Sequence, residues 1–294
     1  VEIIEHVAVI GGDRRQIQLV HTLQKNVEQI SVVGFEKMPF SHANINACTL
    51  AEVPWEQLNA ILFPMSGVKP DGKVEADYAA EPPKVTGEML AQRSSRCMIF
   101  TGIMTEFFRQ KNVVKDVVCW MERDDVAVYN SIPTAEGVLM LAMENTDDTI
   151  HGADVTVVGF GRCGLTIAEL FKAVGAKVTV ITDDMTEQAR AFQAGHEVKE
   201  LSHLPAALST SDICVNTIPL LVITKEMLQQ ANERGYILDI ASRPGGVDIN
   251  GALQLGLNAQ IAPGLPGKVA PGTAGDILAQ VTLALMKSEN KKGR

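Results

Sequence analysis

The sequence predicts an α/β protein made of two doubly wound, parallel-sheet domains with a cleft between them. Three observations carry this. A strand, glycine turn and helix occur twice, as VAVIGGDRRQIQLVHTL from Val7 and as VTVVGFGRCGLTIAELF from Val155. Apolar strand-like runs alternate with helical periodicity through both halves, the pattern of parallel sheet with crossover helices. The length of 294 residues suits two domains better than one.

In the first half the apolar runs predict strands near 7–10, 30–34, 60–64, 97–100 and 117–120. Helical spacing falls near 14–25, 86–93 and 104–111. The polar stretch VKPDGKVEADYAAEPPKV reads as a long exposed loop, of a length often mobile or functional. In YNSIPTAEG, Ser131 or Thr134 can cap a helix and Pro133 suits its first turn. The second half restarts the alternation. Strands are predicted near 155–159, 177–182, 212–216, 236–240 and 258–261, and helices near 163–174, 186–193, 225–230 and 248–255. A final helix begins near Thr273. The expected domains are 1–130, on the substrate side, and 131–272, on the dinucleotide side, with helix 273–290 packing back on the first.

Composition narrows the class. The hydrophobic share of 46% and charged share of 21% are those of a globular protein able to bury a core. A net charge of -9 argues against nucleic acid or an anionic membrane as partner. The basic KSENKKGR end reads as a frayed terminus. The segment VEIIEHVAVIGG lacks the cationic start of a signal peptide, and no run is expected to reach the length of a membrane span. The chain opens on Val1 rather than Met, which reads as a few trimmed residues. The five cysteines form no CxxC and fit free thiols in a reducing cytoplasm. The histidines never pair at helical spacing, so no metal site is expected.

The two glycine turns are not equivalent. The second carries Gly159, Gly161 and Gly164 in full GxGxxG spacing, between a strand and a helix. There the first glycine allows the tight turn, the second lets a pyrophosphate approach the backbone, and the third permits close helix packing. Phe160, Arg162 and Cys163 lie within this cradle. Thr182 stands where an acid would bind the adenosine ribose, followed by Asp183 and Asp184, which leaves NAD and NADP both open. The first turn, GGDRRQ, lacks the third glycine, and Asp13 would repel a phosphate. Arg14 and Arg15 offer forks for a carboxylate; the alternative is a solvated helix face.

Ligands of such sheets bind beyond the C-terminal strand ends. Ser66, Gly67, Thr101 and Gly102 fall there and can offer hydroxyl and backbone donors to a substrate carboxylate, as can Ser131 and Thr134. The plain alternative is ordinary turn chemistry. Thr217, Ile218, Pro219, Asp239, Ala241 and Ser242 lie at strand ends facing the nucleotide. Arg243, between small residues in ASRPGG, is expected to reach a cleft and act catalytically on substrate. In APGLPGKVAPGTAG, the backbone at Gly264, Leu265 and Pro266 can contact the nicotinamide half, or the segment serves as a hinge.

Together YNSIPTAEG, TIHGADVTVVGFGRCG, DICVNTIP, LDIASRPGGVD and APGLPGKVAPGTAG resemble the A-subunit family of bacterial dipicolinate synthase, over nearly the whole chain. The layout is more distantly similar to D-2-hydroxyacid and alanine dehydrogenases. In the former, an Arg of an ARGG loop binds the substrate carboxylate, and Arg243 matches it. Their late His is missing from APGLPG, which counts against alcohol oxidation. The resemblance implies an NADP- or NAD-dependent oxidoreductase. By the same resemblance it is expected to make dipicolinate, with a B subunit, from a dihydrodipicolinate-level dicarboxylate in the mother-cell cytoplasm of a sporulating bacterium. A homo-oligomer is expected. Two alternatives stay open: a nucleotide-binding scaffold or sensor without chemistry, and an alanine- or 2-hydroxyacid-dehydrogenase-like enzyme.

Overall fold

The computed structural model describes residues 4–110 and 117–292. The chain divides into two compact units, one of Val1–Ala127 with Ala270–Arg294 and one of Val128–Val269.

The first unit is built on six parallel strands: β1 (Ile4–Ile10), β2 (Val27–Val33), β3 (Ile45–Ala47), β4 (Ala60–Leu62), β5 (Met98–Thr101) and β6 (Val117–Cys119). Their order is β3-β2-β1-β4-β5-β6, so the sheet reverses direction of build between β1 and β4. The central strands are continuous apolar runs because both faces are covered. Val7, Val9, Val32 and Leu62 pack on one side, with Leu19 and Leu23 of α1 (Arg14–Leu23). Ala8, Ile10, Ile61 and Phe63 pack on the other, with Trp55 and Phe108. Two further helices of this unit, α2 (Gly87–Ala91) and α3 (Glu106–Gln110), are short. Residue 111, the end of the helix expected over 104–111, lies outside the described residues.

The long helix begins earlier than its cap-like residues imply. It is α4 (Asp124–Asn145), so Ser131, Pro133 and Thr134 are interior. Pro133 supplies no N–H to the preceding turn. The hydroxyls of Ser131 and Thr134 instead donate to the carbonyls of Val128 and Asn130, each at 2.7 Å. Contrary to the expectation that no run reaches such a length, α4 is long and apolar enough to cross a membrane. Its Ala135, Val138 and Ala142 are buried in a protein core.

The second unit repeats the strand order: β7 (Asp154–Val158), β8 (Lys177–Ile181), β9 (Glu197–Lys199), β10 (Ile213–Asn216), β11 (Tyr236–Asp239) and β12 (Asn258–Ile261) form the parallel sheet β12-β11-β10-β7-β8-β9. The switch point lies between β7 and β10, which pair from Ile213↔Val155 to Asn216↔Val158. Crossovers are α5 (Arg162–Ala173), α6 (Met185–Gln193), α7 (Leu204–Thr210), α8 (Lys225–Leu228) and α9 (Ile249–Gln254). A short α10 (Leu265–Val269) follows β12.

The last helix, α11 (Pro271–Lys292), belongs to the first unit. It lies against α1: a Cβ at Gly275 would come 2.3 Å from the Arg15 carbonyl, and Gln18 Nε2 donates to Asp276 Oδ1 at 3.0 Å. The end of the chain, expected to fray, is helical through Lys292, and residues 293–294 lie outside the described residues.

The segment after Val68 holds no helix or named strand, as its polarity suggests, but it is pinned to the unit at several buried residues. Val68, Val74, Ala79 and Val85 are buried, and bridges pair Val68 with Val74 and Lys73 with Lys84. A third bridge, Gly12↔Ala76, lays this strap over the first glycine turn.

Candidate functional site

The second glycine turn leaves its backbone open. Gly159 follows β7 with φ +87°, and its N–H donates to the Ile181 carbonyl at 2.8 Å. A Cβ at 159 would overlap Thr217 Oγ1 at 2.5 Å, and one at Gly164 would sit 2.1 Å from the Gly159 carbonyl. These two glycines therefore allow α5 to start hard against the sheet. Gly161 differs. A Cβ there would meet only Glu187 Oε1, at 3.4 Å. Gly161 is the N-cap of α5 and has no side-chain cap, and among the described residues the N–H groups of Cys163 and Gly164, in the first turn of this twelve-residue helix, have no hydrogen-bond acceptor. That is the donor set a pyrophosphate takes, with the helix dipole in its favour. The residues present fit a dinucleotide. Cys163, within the cradle, is a thiol whose pKa burial pushes up, with Arg162 opposing that shift.

Around this turn the expected contacts sort differently. Thr182, after β8, is buried, and its hydroxyl donates to Glu187 Oε2 at 2.6 Å. Asp183 Oδ1 accepts the Leu201 N–H at 2.8 Å, and Asp184 caps α6 through the N–H groups of Thr186 and Glu187. Glu187 Oε2 also accepts the Phe160 N–H at 2.7 Å. Sequence reasoning missed Glu187. Asp184-x-x-Glu187 has the spacing of a helix capping box, which gives it a sufficient local explanation.

After β10, Thr217 and Ile218 are half-buried, Pro219 is exposed, and Leu220 and Leu221 are exposed apolar residues. Thr217 Oγ1 donates to the Val158 carbonyl at 2.9 Å. Asp239, expected to face the cofactor, is fully buried. Its Oδ1 accepts from Asn216 Nδ2 at 2.9 Å and Ala241 N–H at 3.1 Å, and its Oδ2 from Gly246 and Val247 N–H at 2.8 and 3.1 Å. Four donors consume the carboxylate, so Asp239 shapes the loop of residues 240–247 from beneath. Buried Cys214 has its thiol pKa pushed up to about 12, by desolvation first and by Asp239 second. Ala241 is buried too, whereas Ser242 and Arg243 are exposed at the loop's crest, where the Arg243–Pro244 peptide is cis. Among the described residues Arg243 has no ion-pair partner.

The remaining expected contact residues differ in their surroundings. The Leu265 side chain belongs to the core: a Cβ on Gly137 would lie 3.1 Å from the Leu265 Cβ, so this side chain packs against α4, and any contact to a nicotinamide would be made by the backbone. Pro266 is within α10, and Gly264 is exposed with φ +70°. Ser131 Oγ also pairs with Thr166 Oγ1 at 2.7 Å, so the hydroxyls of Ser131 and Thr134 are both engaged within the helix layer.

In the first unit the expected substrate donors are used by their own turns. The N–H groups of Gly67 and Gly102 both donate to the Pro64 carbonyl, at 2.9 and 3.2 Å. Thr101 is fully buried, its hydroxyl 3.4 Å from the Ile103 carbonyl. Ser66 engages Glu75, lowering that carboxyl's pKa together with Lys69. Arg15 forks onto Asp13 with a closest contact of 2.5 Å, and Arg14 is exposed. Among the described residues no three His, Cys, Asp or Glu side chains gather as a metal site.

This sheet order, with an uncapped GxGxxG turn at its switch point, defines a Rossmann-type nucleotide-binding domain. The family of D-isomer specific 2-hydroxyacid dehydrogenase NAD binding domains matches residues 135–234, which places the chain among proteins with a dehydrogenase-type domain for a nicotinamide cofactor. The family of dipicolinate synthase A-subunit N-terminal domains matches residues 6–118. The chain is 39% identical to the dipicolinate synthase A-subunit of Bacillus subtilis strain 168 over 282 residues, 95% of each chain. It superposes on the crystal structure of the same protein from Bacillus halodurans with a TM-score of 0.93 and 40% identity, covering 97% of this chain and 99% of the other. The crystal structure of the Bacillus subtilis protein gives 0.93 and 37%, over 99% and 98%. The chain belongs to the dipicolinate synthase A-subunit family.

Proposed function

We propose that this chain is the nucleotide-binding component of an NAD(P)-dependent dipicolinate synthase. It would act with a B subunit on a dihydrodipicolinate-level dicarboxylate. The observation that carries this is the open turn at Gly161, with the N–H groups of Cys163 and Gly164 lacking an acceptor among the described residues. When bound, an oxidised nicotinamide supplies the hydride acceptor for a dihydro-ring whose aromatisation also releases one proton to solvent. Product aromaticity drives this reaction, so no strong base is needed at the strand ends. Arg243 is proposed to hold a substrate carboxylate, its loop kept in place by the three hydrogen bonds from Ala241, Gly246 and Val247 to Asp239. The five cysteines, all free, are in keeping with a reducing cytoplasm such as that of the mother cell.

A second reading has one specific observation in its favour. Gly67, Gly102 and Thr101 spend their donors internally, which suits a chain that binds nucleotide while its partner does the chemistry. Reconstitution separates the two. The purified chain is combined with the B subunit plus each dinucleotide, and dipicolinate absorbance is followed. In that assay Arg243→Lys, which keeps the charge but not the fork, is expected to lower turnover about tenfold or more, with dinucleotide affinity and melting temperature unchanged. Unchanged turnover removes Arg243 from the site and favours chemistry on the partner.

A further inference from the structure

Glu187 has no role in the proposed reaction, and its carboxylate has an unusual position. It projects from the first turn of α6 back to the glycine turn of β7–α5. Oε2 takes two hydrogen bonds there, from the Phe160 N–H at 2.7 Å and from the Thr182 hydroxyl at 2.6 Å. Phe160 lies between two glycines of the cradle, and Thr182 follows the strand whose end ordinarily carries the ribose-binding acid. Glu187 therefore brings a carboxylate to the place where Thr182 itself has none. Its second oxygen, Oε1, accepts no hydrogen bond among the described residues and lies toward Gly161, 3.4 Å from where a Cβ would be.

We propose that Glu187 is the residue that selects a dinucleotide bearing a free 2′-hydroxyl over one bearing a 2′-phosphate. The inference rests on the dinucleotide reading of the glycine turn and deepens it. A free carboxylate oxygen accepts a hydrogen bond from a ribose hydroxyl. It repels a phosphate, which brings about two further negative charges and no proton to donate. The neighbourhood reinforces the sign. Thr182 to Gln188 reads TDDMTEQ, with three acids and no Lys or Arg. Asp183 and Asp184 are exposed, so their charges remain on this rim although their hydrogen bonds are internal. Two bonds fix the Glu187 carboxylate, so it does not swing aside at small cost to admit a phosphate.

The test is a direct binding titration of the full chain with NADH and with NADPH, read by the fluorescence of the bound reduced nicotinamide, so that no turnover is required. The wild-type chain is expected to bind NADH at least about tenfold more tightly than NADPH. Glu187→Gln should weaken NADH binding, strengthen NADPH binding and bring their ratio close to one, with an unchanged near-ultraviolet circular dichroism spectrum. Should that variant fail to fold, Thr182→Val, which removes only the hydroxyl that anchors Oε2, is expected to narrow the same ratio. Equal or tighter binding of NADPH by the wild-type chain overturns the proposal and leaves the dinucleotide reading intact. So does an unchanged ratio in whichever variant folds. Failure of the wild-type chain to bind either dinucleotide overturns both.

Discussion

The turn at Gly11–Asp13 and the turn at Gly159–Gly161 occupy the same place in sheets of the same strand order, and they part ways after their first residue. Gly11 and Gly159 both bond the end of the neighbouring strand, through the Val33 and Ile181 carbonyls, each at 2.8 Å. At the next position the Gly12 N–H donates to the main-chain carbonyl of Glu75, whereas the Phe160 N–H donates to the Glu187 side chain. At the third, Asp13 caps α1 with its own carboxylate and forms a capping box with Gln16, whereas Gly161 leaves α5 uncapped. One turn is thus closed by the chain that surrounds it, with Asp77 N–H returning to the Gly12 carbonyl. The other has no side-chain cap, and the proposed dinucleotide would take the donors left there. A doubly wound sheet creates the potential anion site at its switch point, and local chemistry decides whether protein or ligand occupies it.

The comparison can be broken most sharply at Gly161. Gly161→Val places branched carbon where the backbone is bare, its Cβ 3.4 Å from Glu187 Oε1. Dinucleotide affinity is expected to fall about a hundredfold or more, ~3 kcal/mol, with a loss of no more than about 1 kcal/mol in stability because Val caps a helix less well than Gly. Gly11→Ala should do the reverse. Its φ is +66°, and the new Cβ would lie 2.6 Å from the Glu75 carbonyl and 2.8 Å from Val74 Cγ1. Left-handed strain and overpacking together predict a loss of about 2–4 kcal/mol in denaturant unfolding, with dinucleotide affinity retained.

How much of the fold and the site is legible in the sequence follows from where each signal resides. β1, β7, β10 and β11 are apolar runs because both faces of a parallel sheet are buried, and the runs name them directly. β3 and β9 are three-residue edge strands, INA and EVK, too short and polar to show a period. The strap after Val68 reads as a loop because its charged residues dominate the local pattern, while its anchoring depends on Ala76 pairing with Gly12, far away in sequence, and on internal bridges such as Lys73 to Lys84. The start of α4 is hidden because Ser131, Pro133 and Thr134 resemble a cap; in place they are interior residues, and the two hydroxyls bond to their own helix. The GxGxxG cradle is readable because spacing and context are local. The roles of Glu187 and Asp239 are not, because each acts by folding back onto a separate segment: Glu187 on Phe160, and Asp239 on Gly246 and Val247.

The difference between the two turns is tested most directly by amide hydrogen exchange of the whole chain, with and without saturating NADH. The dinucleotide is predicted to slow exchange across Phe160–Gly164 and to leave exchange across Gly11–Gln16 as it was, since those amides are already held by Asp13 and the strap. Slowed exchange at Gly11–Gln16, or none at Phe160–Gly164 under saturating ligand, would contradict the assignment of one turn to protein and the other to ligand.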